Sequence, residues 1–209
     1  MKHLIQILVL AMGLMLNSMV AHAGEILAPG HTWEYTFTDP TGDSNWNTTT
    51  GTGSGGWTLG AAPFGNTTVA DSNNDDFAYN TFWAVDTNTT VGVDDLWVRT
   101  EIDLTGYDLS TVAWGLGVDN GFTLYGNGTS DGTGTAGGFT FRWEYNGTFS
   151  SLNQGLNVIA VALDDYGGAT AFDMQISGDL LSVPEPSAVA LLALGLAGLG
   201  FRARRKKLN

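Results

Sequence analysis

Carboxylates are the first groups in this chain that could do chemistry. Asp75-Asp76, Asp94-Asp95 and Asp164-Asp165 stand as neighbours, and glycoside hydrolysis needs only two such groups. Neighbours on a strand face opposite sides of a sheet, so within strands these pairs would not cooperate. Asp71-Ser72-Asn73-Asn74-Asp75-Asp76 places oxygens at alternate positions instead. With Asp71, Asn73 and Asp75 as ligands it suits calcium, and without them it is a solvated acidic loop. It is not an EF-hand, having Asp76 where glycine is required and Phe82 where glutamate is required.

Aromatic rings set among amides and hydroxyls are the second group. A sugar site joins an apolar wall to a few placed polar groups. Trp57, Tyr79 and Trp83, with Asp119, Asn120 and Asn127, are the candidate sugar-binding set, and Trp46 and Tyr125 have similar surroundings. Each ring can equally be packing, as Trp33, Trp114 and Trp143 on alternating segments are read to be.

Histidine is the third. Of the 3 histidines, His3 and His22 lie in an apolar leader and only His31 lies beyond it. A Ser-His-Asp system would need its base there, and His31 opens a strand where a surface role is expected. Zero cysteines exclude disulfides, thiol catalysis and thiolate-bound metal. The chain reads as a non-enzyme that needs no cofactor.

These residues must be positioned by a body of unusual charge. All but one of the 21 acidic residues lie between Gly24 and Val183, with only Arg99 and Arg142 against them. Such a body does not favour nucleic acid, whose phosphates need a basic face. The two arginines are expected to pair with carboxylates on the sheet. Alternation predicts strands over 31–38, 96–104, 139–145 and 172–180. Val158 to Leu163 is apolar on both faces and suits a covered central strand. Thr111 to Val118 and Phe122 to Tyr125 read as a hairpin turning at Asp119-Asn120-Gly121, and Asn146-Gly147 as another tight turn. Stretches 51–56 and 126–138 read as flexible loops. Seven or more short strands without helical periodicity predict an all-β jelly roll or related sandwich.

Both ends carry addresses. Met1-Lys2-His3, the apolar run Leu4 to Leu16 and Ala21-His22-Ala23 form a secretory signal peptide over residues 1–23, cut before Gly24. The ectodomain is residues 24–182. An apolar helix of about 187–201 follows, and counted from Val183 to Phe201 the segment is barely long enough to span a bilayer. The basic tail 202–209, with Arg202, Arg204, Arg205, Lys206 and Lys207, would hold the far end in the cytoplasm.

Val183-Pro184-Glu185-Pro186-Ser187, the apolar helix and the basic end together resemble the PEP-CTERM sorting signal, covering residues 183–209. The resemblance implies recognition and cleavage by an exosortase, an inner-membrane precursor, and delivery to the cell surface or extracellular matrix. The body has its own resemblance. Gly56-Trp57-Thr58-Leu59-Gly60-Ala61-Ala62-Pro63-Phe64-Gly65 is similar to the opening of galactose-binding-like jelly rolls. Leu96 to Ile102, Val118 to Gly121, Tyr125 to Gly128 and Gly155 to Val161 resemble their later motifs in order. Asn120 stands where that family more often has aspartate. The resemblance implies a β-sandwich, often an accessory module. Polysaccharide is the partner expected outside the cell, the alternatives being a purely structural matrix protein without a defined ligand and a carbohydrate-active enzyme using carboxylates.

Overall fold

The computed structural model describes residues 23–51, 56–65, 83, 95–135, 143–166 and 170–181. Residues 1–22 of the signal peptide, Asp71, Asn73, Asp75, Tyr79, Arg142, the sorting motif, the expected C-terminal helix and its basic cluster lie outside these residues, while Ala23, before the expected cut, opens the first strand. Among those described, no helix is long and apolar enough to cross a membrane.

Among the described residues, eleven strands form two antiparallel sheets. They are β1 (Ala23–Leu27), β2 (Thr32–Thr36), β3 (Thr58–Ala61), β4 (Phe64–Gly65), β5 (Leu96–Asp103), β6 (Ala113–Asp119), β7 (Gly121–Gly126), β8 (Thr129–Thr135), β9 (Tyr145–Thr148), β10 (Leu156–Asp164) and β11 (Ala171–Asp179). One sheet runs β1-β11-β6-β9, with β4 also on β11; the other runs β3-β2-β5-β10-β7-β8. The chain changes sheet repeatedly, as a jelly-roll-like sandwich requires.

The alternating strands behave as their pattern dictates. On β5, Leu96, Val98 and Ile102 point inward while Glu101 and Asp103 stay in water. Phe172, Met174 and Ile176 of β11 meet them from the facing sheet in one apolar cluster. Trp33 packs edge-on to Phe172 at 5.5 Å, and Phe64 stacks on the same ring. β10 lies between β5 and β7 and is buried on both faces, so its continuous apolar run is that of a covered strand.

Four expectations fail here, each for a local reason. β6 and β7 are not a hairpin, because they belong to different sheets; Asp119-Asn120-Gly121 is a corner between sheets and contains a cis peptide bond. Asn146 and Gly147 are strand residues paired with Gly115 and Trp114 rather than a turn. A Cβ on Gly147 would stand 2.7 Å from the Trp114 ring, and one on Gly132 of β8 would stand 2.8 Å from it. Both glycines therefore admit that ring between the two sheet edges. Residues 126–135 are not a flexible loop but the tight turn Asn127-Gly128 followed by β8. Both turn residues have positive φ, at 48° and 82°, as a two-residue hairpin turn demands. Finally, β2 stops at Thr36, which leaves Phe37 exposed instead of continuing the inward row.

Candidate functional site

Register builds a polar and aromatic row across the outer face of the six-stranded sheet. Leu59, Glu34, Arg99, Ala160, Tyr125 and Ser130 are successive partners from β3 to β8. Arg99 is 1% exposed, and its Nε donates to Glu34 Oε2 at 2.7 Å. Its Nη1 donates to the Trp46 carbonyl at 3.1 Å. The guanidinium lies 3.9 Å from the centre of the Trp57 ring, a stacked cation–π geometry. Gly51 N donates to the other oxygen of Glu34 at 2.6 Å. Trp46 meets Tyr125 edge-on at 5.4 Å. The loop carrying Trp46 is thereby held across this face, with the small Ala160 leaving room between Arg99 and Tyr125. Arg99 pairs with a sheet carboxylate as the sequence predicts.

The described members of the candidate sugar-binding set are not brought together. Trp57 is half-buried on Arg99 and is the one described ring of the set that keeps partial exposure. Trp83 is 0% exposed and belongs to the core, with Thr170 Oγ1 donating to its carbonyl at 3.2 Å. A fully enclosed ring cannot stack on a sugar, so its role as a platform is withdrawn. Asp119 and Asn120 are buried at the corner, where Asn120 Oδ1 accepts from Tyr166 N at 2.8 Å. Asn127 sits at the other end of β7, about 23 Å away along an extended strand. Its amide is committed to the Ser151 carbonyl and Asn157 Oδ1, and its Oδ1 accepts from Val158 N. Asn120 and Asn127 therefore cannot share one ligand edge.

The corner end of the sandwich carries an acidic group that adjacency in sequence concealed. Continuing the β5–β10 register past Leu163 and Leu96 sets Asp164 opposite Asp95. Asp165 N donates to Asp95 Oδ1 at 3.0 Å. Burial, and then the charge of Asp95, push the Asp164 carboxyl above its usual range. Burial and the charges of Asp164 and Asp95 raise the Tyr166 phenol likewise. The missed signal was antiparallel pairing, which brings Asp95 of one aspartate doublet to Asp164 of another across strands. Among the described residues, no group of three or more His, Cys, Asp or Glu is arranged to hold a metal ion.

Asp164 gives a pH prediction with a definite sign. A carboxyl whose folded pKa is raised binds its proton more tightly when folded, so the stability it contributes is lost as pH climbs through the raised value. Asp164→Asn removes that cost. The variant is expected to melt above the parent at pH 7, with the difference shrinking toward pH 3. Melting curves at both pH values check this, and a lower melting point at pH 7 would contradict it.

His31 is half-buried rather than a simple surface residue. Its Nε2 shares a 2.9 Å hydrogen bond with Thr100 Oγ1, its ring meets Trp33 edge-on, and burial lowers its pKa.

Residues 182–206 match the PEP-CTERM protein-sorting motif. The motif implies exosortase as processing partner, with export through a membrane-anchored precursor. Among solved structures, the chain is similar to a β-glucuronidase of Ruminococcus gnavus, at 14% identity and a TM-score of 0.45, over 74% of this chain and 29% of that one. The same enzyme in complex with uronic isofagomine gives 12% and 0.47 over 78% and 29%. A Bifidobacterium dentium β-glucuronidase gives 14% and 0.42 over 71% and 21%. This chain thus spans less than a third of the length of those enzymes. No curated protein sequence matches it.

Proposed function

We propose that this protein is an exported, non-catalytic β-sandwich, released by exosortase from a membrane-held precursor to the cell surface or extracellular matrix, where it contacts polysaccharide. The observation that carries the sorting reading is the motif match over residues 182–206. The strongly acidic body suits a secreted, soluble module. Support for the polysaccharide contact is narrower: Trp57 retains partial exposure, and the guanidinium beneath it fixes its ring.

Replacing Pro184, Glu185 and Pro186 together by alanine is expected to leave export intact and to retain the protein in the inner membrane with its tail attached. Mass spectrometry of the parent should then find mature chains ending near the Pro-Glu-Pro. Parent protein still ending at Asn209 would overturn the sorting reading.

A second reading is a matrix protein with no ligand. It is favoured by the burial of Trp83 and by the structural commitments of Asn120 and Asn127. Retention of the parent chain on extracellular polysaccharide separates the two.

A further inference from the structure

The end of the sandwich at which the chain leaves for its tail is fixed by hydrogen bonds. Gly24 of β1, the first residue of the body, is the direct partner of Gly178 of β11, so both ends of the body emerge side by side. Asp108 N donates to the Asp179 carbonyl and Leu181 N to the Gly106 carbonyl, both at 2.7 Å. Leu180 bridges Tyr107. Gln154 ties the start of β10 to the same loop, accepting from Gly106 N and donating to the Tyr107 carbonyl.

Six residues, 182–187, separate Leu181 from the uninterrupted apolar run that starts at Ala188. Fully extended, they reach about 20 Å. A membrane-held tail therefore keeps this end of the body close to the bilayer. The same end carries an apolar surface that the core does not explain. Leu156 is 65% exposed, Leu180 53% and Leu181 50%, three of the six exposed large hydrophobic side chains among the described residues. Alternation would turn one of Leu180 and Leu181 inward, yet both face out. The neighbouring carboxylates Asp103 and Asp108 accept from the backbone and hydroxyl groups of Thr105 and Ser110. Those bonds hold both below their usual pKa, so they stay charged and in water.

We propose that this end, through Leu156, Leu180 and Leu181, is seated on the membrane interface while the tail is attached, with the leucines at headgroup depth and the carboxylates outside. The acidic corner at Asp95 and Asp164 then points away from the bilayer. This rests on the reading of residues 182–206 as a membrane-held tail.

The chain has no cysteine, so a single introduced thiol reports one position. Leu156→Cys, Leu181→Cys and Tyr166→Cys, each in the chain from Gly24 to Asn209 with a fluorescent label, would be reconstituted into phosphatidylethanolamine–phosphatidylglycerol vesicles containing a headgroup spin-labelled lipid. Quenching at positions 156 and 181 is expected to be several-fold stronger than at 166. Vesicle flotation tests the tail separately. A chain that does not float overturns the tail reading and this proposal with it. A chain that floats, with all three labels quenched alike, overturns the seating alone. Weak quenching at 156 and 181 together with disulfide dimers of the unlabelled Leu181→Cys chain would assign the leucines to a second copy and equally overturn the seating.

Discussion

Glu34→Ala is expected to destabilise the protein by about 3–5 kcal/mol, the range for removing one partner of a buried ion pair. The reason lies in what stays behind. Arg99 cannot lose its proton, and at 1% exposure against 18% for Glu34 it is much the more buried partner. Without the carboxylate, the guanidinium keeps the Trp46 carbonyl and the Trp57 ring but loses the charge 2.7 Å from its Nε. Gly51 N loses its acceptor as well, which loosens the segment that carries Trp46. Replacing both partners with apolar side chains of similar size, Glu34→Leu with Arg99→Met, should recover most of the loss, because no buried charge then remains. Denaturant titration of the parent, the single and the double variant measures this directly. A single variant within 1 kcal/mol of the parent would mean that solvent reaches the pair and screens it, as for exposed ion pairs.

How much of this was legible in the sequence depended on where each strand's apolar surface came from. β5 and β11 supply their own inward residues, so their alternation could be read. β10 was legible as a covered strand because its outward row is Val158, Ala160 and Ala162. β8 was not legible, because its inward residues include Gly132 and Gly134, and the rings that fill their places belong to Trp114, Phe122 and Tyr145 on other strands. A strand that only receives rings shows no hydrophobic period, and its composition is that of a loop. Glycine misled the reading of Gly147 for the same reason. At Asp119-Asn120-Gly121 the residue types of a hairpin turn also serve a corner between sheets, and only the burial of Asp119 and Asn120 distinguishes the two.

The candidate site was legible in parts and not as an assembly. The pairing of Arg99 followed from charge count alone. Which loops share an end of the sandwich follows from register, and no run of neighbouring residues encodes that. Asp95 with Asp164 and Asn120 apart from Asn127 are two outcomes of this one fact. Trp83 shows the same limit for burial, since an aromatic among polar neighbours reads as a platform until the fold closes over it.

Asn157→Asp should be the other large loss, about 1–3 kcal/mol at neutral pH for the lost donor, with the cost of a buried charge added to it. Asn157 is 1% exposed and uses every hydrogen-bonding position of its amide. Nδ2 donates to the carbonyls of Asn153 and Gly155, each at 2.7 Å. Oδ1 accepts from Asn153 N at 2.7 Å and from Asn127 Nδ2 at 2.8 Å. The side chain thus brackets the loop before β10 and joins it to the turn between β7 and β8. Aspartate has the same shape and keeps both acceptor roles, but it cannot donate when ionised. The Asn153 carbonyl would lose this donor while that of Gly155 keeps Leu104 N, a loss of about 1–3 kcal/mol, and a negative oxygen buried at position 157 would face both. The introduced carboxyl would accordingly titrate above the usual range in the folded state, so the variant regains stability as pH falls through that raised value, when the protonated acid can donate to one carbonyl. Melting curves at pH 7 and pH 4 test both parts. The expected result is a gap from the parent that is wide at pH 7 and narrower at pH 4; equal melting points at pH 7 would show that the bracket does not hold the loop.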